Sequence, residues 1–244
     1  MVIKAPDRIT YTDGHSFCPG CGHGTAIRLI GEVLQELKLE EDSIIVLDVA
    51  CGGMPIDVWR YDTIEAAHGR PVPTAVGVKM VRPDQPVLAY LGDGAAYSIG
   101  IAETIHSARR NDNIAVIVLN NCVFGMTGGQ MSPTTLQGQV TTSSPDGKNM
   151  ESGGATLDVV KLLSSMDIAY LARGAICDAA NIRKAKKIHK KSDRKADEPG
   201  RLQPGRTSVT MPDKLEDGSV PMRRPYKGAC NSCISSWRIY WKGR

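Results

Sequence analysis

No apolar run in these 244 residues reaches the roughly 18–20 that a membrane-spanning helix requires, so no membrane partner is expected. The opening stretch, MVIKAPDRITYTDG, lacks the apolar centre of a secretory signal, and a cytoplasmic location is the expectation. Cysteine is too sparse for a disulfide scaffold. Seven in a chain of this length read as intracellular thiols, with metal, catalytic or structural roles open to them. Aromatic residues make up only 5%, beside 41% hydrophobic and 23% charged residues and 25 glycines. That balance excludes a disordered chain, a collagen-like repeat and a coiled coil. What remains is a chain able to bury a sizeable core, as one large α/β domain or two small ones.

Charge divides the chain in two. Residues 1–180 hold 13 Lys and Arg against 20 Asp and Glu, a net of −7, whereas residues 181–244 hold 17 against 6, a net of +11. In the first part, residues 43–49 (SIIVLDV), 86–91 (PVLAYL) and 113–119 (NIAVIVL) are short apolar runs bounded by turn residues, the pattern of buried parallel strands. Between them the spacing is helical: Ile27, Ile30, Leu34 and Leu37 share one side of a helix over 25–37, and Ile101 and Ile105 one stripe of a helix over 97–109. A further helix is expected near 156–163, a strand at 168–171 and a helix from 178. Strands alternating with helices predict an α/β fold, a doubly wound, mostly parallel sheet with helices on both faces. Ligands of such sheets bind beyond the carboxyl ends of the strands, which directs attention to residues 50–55, 92–98 and 120–130.

Gly92-Asp93-Gly94 follows its strand directly and opens a helix. The glycines permit a sharp turn and close approach to a phosphate, and Asp93 offers a hard oxygen. After 25 intervening residues, Asn120-Asn121 ends the next predicted strand. Neighbouring strand ends lie roughly 5 Å apart, so Asp93 and Asn121 can share one cation, for which Mg²⁺ is the natural choice. The plain alternative is a pair of ordinary loops built from turn-forming residues.

This GDG followed by NN, with FCPGCGHG, AAHGR and MTGGQMSPTT in the same order, resembles the β subunit of 2-oxoacid:ferredoxin oxidoreductases over about residues 10–187. The resemblance implies a thiamine diphosphate-binding fold, with Mg²⁺ held by Asp93, Asn121 and the Val123 carbonyl. It implies cofactor contacts from Cys51, Gly52, Gly69, Arg70, Gly92, Gly94, Ala95, Gly125, Met126 and Thr127. His23 and His68 are the catalytic candidates, expected beside the cofactor. Read without the resemblance, either histidine is an ordinary hydrogen-bonded surface or core residue.

Cys18 and Cys21 form a C-x-x-C with several readings: a thioredoxin-like pair, or a zinc or iron–sulfur half-site. Gly22 excludes a c-type haem site. Cys51, at the end of a predicted strand, is the natural third ligand. The resemblance implies that Cys18, Cys21 and Cys51 bind a [4Fe–4S] cluster with a fourth cysteine nearer the C-terminus. Cys122 and Cys177 read as small buried hydrophobes.

After about residue 187 the chain turns polar and basic, without helix or strand periodicity, and the Ser-Pro-Cys-Pro turn that carries the family's fourth cluster ligand is missing. Two conventional readings are a disordered basic tail, with Trp237, Tyr240 and Trp241 as stacking residues, and a zinc or cluster role for Cys230 and Cys233. A third reading is preferred. Met211-Pro212 must be encoded ATG-CCN, so the frame one base later reads TGC, a cysteine. With permitted codons, residues 208–217 can then read SPCPTNWKM, after a strand-like DFSLVEL from residues 201–207. The expected division is therefore 1–187 as the thiamine diphosphate domain with its iron–sulfur half-site, and 188–244 as a basic, out-of-frame or disordered tail that leaves the sheet short of its last strand.

The resemblance implies oxidative decarboxylation of a 2-oxoacid, 2-oxoglutarate ahead of pyruvate or a branched-chain acid, to an acyl-coenzyme A with electrons passing to ferredoxin. It also implies an α subunit that completes the substrate pocket. The contrasting class, a non-enzymatic metal and nucleic-acid binding protein, leaves the GDG and NN pair unexplained, so no nucleic-acid partner is expected.

Overall fold

The structure is a computed structural model of the 244-residue chain and describes residues 5–10, 14–197, 208–212 and 239–240. In chain order its elements are α1 (His23–Leu37), β1 (Ile44–Asp48), β2 (Asp62–Ala66), α2 (Pro71–Val81), β3 (Val87–Gly92), α3 (Ile101–Arg110), β4 (Ala115–Leu119), β5 (Val123–Phe124), β6 (Gln130–Met131), α4 (Met150–Gly153), α5 (Val159–Ser164), β7 (Tyr170–Gly174), α6 (Ala179–Asp197), β8 (Ser208–Pro212) and β9 (Ile239–Tyr240). The main sheet runs in the order β2-β1-β3-β4-β8-β7-β9. Every pairing in it is parallel except β7 with β9, while β5 and β6 form a separate antiparallel hairpin.

Strand side chains alternate between faces, and here both faces are covered. Ile45, Leu47, Leu88, Tyr90, Ile117 and Leu119 point to one side, where they pack with Ile27, Ile30 and Leu34 of α1. Val46, Ala89, Leu91, Val116 and Val118 point to the other, against Val72 and Ala75 of α2, Ala108 of α3 and Leu163 of α5. The apolar text of β1 as far as Leu47, and of β3 and β4, is the consequence of that double burial. The α/β class and the doubly wound sheet expected from the sequence are what the chain forms.

Several elements depart from the sequence reading, each for a local reason. The helix expected over 97–109 is split: Ala95–Ile99 winds as a π turn, and α3 starts only after Gly100. A Cβ on Gly100 would lie 2.2 Å from the Gly69 carbonyl, so a second loop occupies the space a continuous helix would need. Strand β2 has no apolar run because it lies at the sheet edge and is largely exposed. Helix α2 is apolar around much of its circumference, which hides any stripe. The reading that nothing regular follows residue 187 is corrected: α6 continues to Asp197, and Ser208–Pro212 supplies the strand between β4 and β7 that the sequence reading held to be missing. The expectations for Cys230, Cys233, Trp237 and Trp241 lie outside the described residues.

The basic helix α6 docks on an acidic strip of α1. Lys186 Nζ lies 2.7 Å from both Glu32 Oε2 and Glu36 Oε1, and Lys190 Nζ is 2.8 Å from Glu36 Oε2. Part of the positive charge behind residue 180 is thus used inside the fold.

Candidate metal and cofactor site

β2, β1, β3 and β4 are adjacent and parallel, so the residues that follow them share one edge of the sheet. Asp48 ends β1, His68 follows β2, Asp93 follows β3, and Asn120-Asn121 follow β4. Asp93 is buried, and its Oδ2 accepts hydrogen bonds of 2.6 Å from both the Ser132 and Thr134 hydroxyls. Thr134 Oγ1 also lies 2.9 Å from Asn120 Oδ1, which accepts from the Cys122 N–H at 3.1 Å. Burial pushes the Asp93 carboxyl up to about 6 even though the Ser132 and Thr134 hydroxyls pull it down.

The other carboxylate oxygen, Oδ1, faces Asn121. The inward terminal atom of the Asn121 amide lies 3.2 Å from Asp93 Oδ1 and 3.2 Å from the Val123 carbonyl oxygen. With the amide oxygen inward, three acceptors confront one another without a donor. With the nitrogen inward, it donates to both neighbours. An octahedral Mg²⁺ with bonds of about 2.0–2.1 Å sets adjacent ligand oxygens on the order of 3 Å apart. The donor set and its spacing therefore suit such an ion.

The surrounding loops are fixed by contact. Gly94 is helical, and a Cβ there would lie 2.4 Å from the Phe124 ring, so the glycine is required by a side chain crossing above it. A Cβ built on Gly125 would lie 3.4 Å from Cys51 Sγ. Cys122 takes φ +64 while its carbonyl accepts from Thr135 Oγ1 at 2.7 Å, a rare conformation held by its neighbours beside the site. Gly92 has only the Leu119 carbonyl within 4 Å of a Cβ position, whereas Gly52 meets Leu91 Cα at 3.1 Å. Met126 and Thr127 are exposed on the hairpin turn, and Ala95 is buried beneath it. Gly69 takes φ +75 against Ile99 and Gly100, and Arg70 pairs with Glu103 at 2.7 Å while donating to the Ile99 carbonyl at 3.1 Å.

The two histidines part company. His68 is partly exposed at the sheet edge, and its Nδ1 lies 3.0 Å from Asp48 Oδ2. His23 is buried in the core, 2.7 Å from the Tyr90 hydroxyl and stacked on Phe17, and burial drives its imidazole down to about 3. His23 is thus enclosed in the core, and His68 is the histidine exposed at the sheet edge.

The cysteines are less gathered than the sequence implied. Cys18 is exposed, Cys21 buried and Cys51 half-buried. Among the described residues no three His, Cys, Asp or Glu side chains form a group able to hold a metal. The C-x-x-C loop does reach the site through its backbone, since the outward terminal atom of the Asn121 amide lies 3.4 Å from the Cys21 carbonyl, a hydrogen bond made only with the amide oxygen inward. Cys122 is buried as expected. Cys177 is not: it is exposed beside Asp178 and Asn181 at the start of α6, so its reading as a buried hydrophobe is corrected. Sequence reasoning missed Ser132, Thr134, Phe124 and Asp48. The first two stand inside the MTGGQMSPTT stretch and were findable there as hydroxyls facing a buried carboxylate.

A doubly wound domain whose carboxyl edge gathers a buried carboxylate, an amide and a main-chain carbonyl has the groups a cofactor-bound cation would need. The sequence profile of the thiamine pyrophosphate enzymes' C-terminal TPP binding domain matches residues 54–200, and the chain belongs to that family. Ketoisovalerate oxidoreductase subunit VorA of Methanothermobacter marburgensis is 38% identical over 177 residues, covering 72% of this chain and 37% of that protein. 2-Oxoglutarate synthase subunit KorB of Methanocaldococcus jannaschii is 38% identical over 160 residues, covering 65% and 58%. The chain thus spans between about a third and three fifths of the length of such relatives. A solved 2-oxoglutarate:ferredoxin oxidoreductase from Magnetococcus marinus, with 2-oxoglutarate, coenzyme A and succinyl-CoA bound, shares the fold at a TM-score of 0.71 and 21% identity, covering 86% of this chain and 68% of that one. Among the described residues no helix is long and apolar enough to cross a membrane.

Proposed function

We propose that this chain is the thiamine diphosphate-binding β subunit of a 2-oxoacid:ferredoxin oxidoreductase, acting with an α subunit to convert a 2-oxoacid and coenzyme A to an acyl-coenzyme A, with ferredoxin as electron acceptor. The observation that carries this reading is the set of three oxygen-bearing groups, Asp93, Asn121 and Val123, within 3.2 Å contacts at the carboxyl edge. Asp93 and the Asn121 and Val123 oxygens would hold Mg²⁺ against the diphosphate, with Ser132 and Thr134 orienting the carboxylate. The turn through Gly69 and Arg70, which leads into the N-terminus of α2, and the exposed hairpin turn of Met126 and Thr127 would flank the cofactor. Thiamine diphosphate, once bound, supplies the electron sink for decarboxylation, and the protein's part is position and electrostatics. His68 is the residue placed to exchange a proton at this edge. The substrate is 2-oxoglutarate, with a branched-chain 2-oxoacid as the second reading because a ketoisovalerate oxidoreductase subunit is among the relatives.

Calorimetric titration with thiamine diphosphate and Mg²⁺ tests this. Removal of the buried oxygen ligand in Asp93→Ala is expected to weaken binding at least about 100-fold, in the range seen for loss of one charged anchor. Equal affinity in the two chains refutes the assignment.

A [4Fe–4S] cluster requires four thiolates, and Cys18, Cys21 and Cys51 do not form a group among the described residues. No step is assigned to such a cluster here. We further propose that the coding frame shifts after about residue 187. The obligatory TGC across Met211-Pro212 supports this, and the nucleotide sequence over codons 185–215 decides it.

A further inference from the structure

Asp48 is the last residue of β1 and completely buried, and its carboxylate oxygens accept from the turn that follows β2. The Gly69 N–H reaches Oδ1 at 2.7 Å, and His68 Nδ1 lies 3.0 Å from Oδ2. The Gly69 donor cannot change: it is backbone, and its residue is wedged at φ +75 against Ile99 and Gly100. A neutral imidazole carries one N–H, and the bond made by one nitrogen dictates the state of the other. A carboxylate oxygen accepts only, so Nδ1 must carry the hydrogen. The His68 side chain keeps 31% of its surface exposed while that of Asp48 has none. The nitrogen left to meet a ligand is therefore Nε2, bearing a lone pair. Burial holds the Asp48 carboxyl above the ordinary carboxylate range, and the Gly69, His68 and Val49 donors offset only part of that rise.

We propose that Asp48 is a positioning residue that locks His68 in the Nδ1–H tautomer and makes Nε2 a proton acceptor at the carboxyl edge of the sheet. The ligand there is a hydroxyl or thiol of the reactants, which rests on the cofactor reading above. Its proton passes to Nε2, the O–H or S–H electron pair stays on oxygen or sulfur, and the imidazolium formed is balanced by the Asp48 carboxylate. A neutral His68 of this tautomer has no hydrogen to donate to a diphosphate oxygen, so the residue is not a simple phosphate anchor.

Asn at position 48 has one acceptor and one donor where Asp has two acceptors. Gly69 N–H claims the amide oxygen, the NH₂ is left facing Nδ1, and the ring must invert to Nε2–H. The full chain labelled with [¹⁵N]histidine, with His68→Gln used to identify the signal, reports the tautomer at pH 8, where an ordinary histidine is neutral. The wild-type chain is expected to show Nδ1–H, and Nε2–H there overturns the proposal without any variant. Asp48→Asn is expected to show Nε2–H, and an unchanged tautomer also overturns it. Neither reading needs bound cofactor, so both stand apart from the assignment of thiamine diphosphate. In the assembled enzyme Asp48→Asn is expected to lower kcat by about 100-fold or more, the usual scale of a lost acid–base group, with cofactor affinity changed less than about threefold. A comparable collapse of cofactor affinity, or an unchanged kcat, overturns the role.

Discussion

Individual residues here are constrained by their neighbours more than by their own chemistry. Gly100 and Gly77 make the contrast. A Cβ at Gly100 would meet the Gly69 and Ala95 carbonyls at 2.2 and 2.8 Å, both backbone, whereas Gly77 in α2 has nothing within 4 Å. Gly100→Ala is expected to destabilise the chain by at least about 2 kcal/mol and to displace the turn that carries His68. Gly77→Ala, on an exposed helical face, is expected to stabilise it by about 0.5–1 kcal/mol. Urea unfolding of the two variants measures both, and equal effects would contradict the contact geometry. The same contrast marks what the sequence makes legible at this scale. Asp93 and Asn121 can be found from text because GDG and NN each sit at a strand end. Asp48 cannot, since an aspartate closing an apolar run reads as the start of a turn. Its role exists only once β2, missing from the pattern, brings His68 alongside.

Among elements, the docking of α6 on α1 is electrostatic as well as apolar. Burial opposes ionisation of Glu32, but the hydrogen bonds from Lys186 and Arg28 outweigh it and hold its carboxyl below the ordinary range, while those from Lys186 and Lys190 lower Glu36. A carboxyl lowered on folding takes up its proton more readily in the unfolded chain. Its stabilisation is complete above the ordinary value near 4.5 and is lost as pH falls through the folded value. Lys186→Met is expected to cost about 1 kcal/mol at pH 7, the scale of a partly buried pair, and less at pH 4. Chemical denaturation at the two pH values checks it, and a cost that grows in acid contradicts the pairing. Element by element, β1, β3, β4 and α1 were readable because double burial or a single buried stripe leaves a period in the text. The exposed edge strand β2, the apolar helix α2 and the π turn at Ala95–Ile99 were not, since exposure, uniform apolarity and a close-packed glycine each erase that period.

For the whole molecule, the sheet is continuous from β2 through β8 to β9, and yet the chain covers only part of its relatives' length. The doubly wound class followed from alternating strands and helices, whereas the long-range insertion of Ser208–Pro212 between β4 and β7 left no local mark, because pairing partners far apart in sequence share no period. The thiols have the opposite history: their spacing was legible and their gathering was not found. The purified chain is expected to hold iron and sulfide well below four of each per chain. A stable, stoichiometric four-iron signal would contradict that.

Asn121 has a further consequence. Its amide satisfies Asp93 and Val123 with nitrogen inward and offers a ligand with oxygen inward, and the two arrangements differ by half a turn about one side-chain bond. Loading an ion would therefore exchange these two hydrogen bonds, about 1–3 kcal/mol apiece, for the ion and a hydrogen bond to the Cys21 carbonyl. The pace of such capture would then be set more by the hydrated ion, which sheds its water reluctantly, than by the polypeptide.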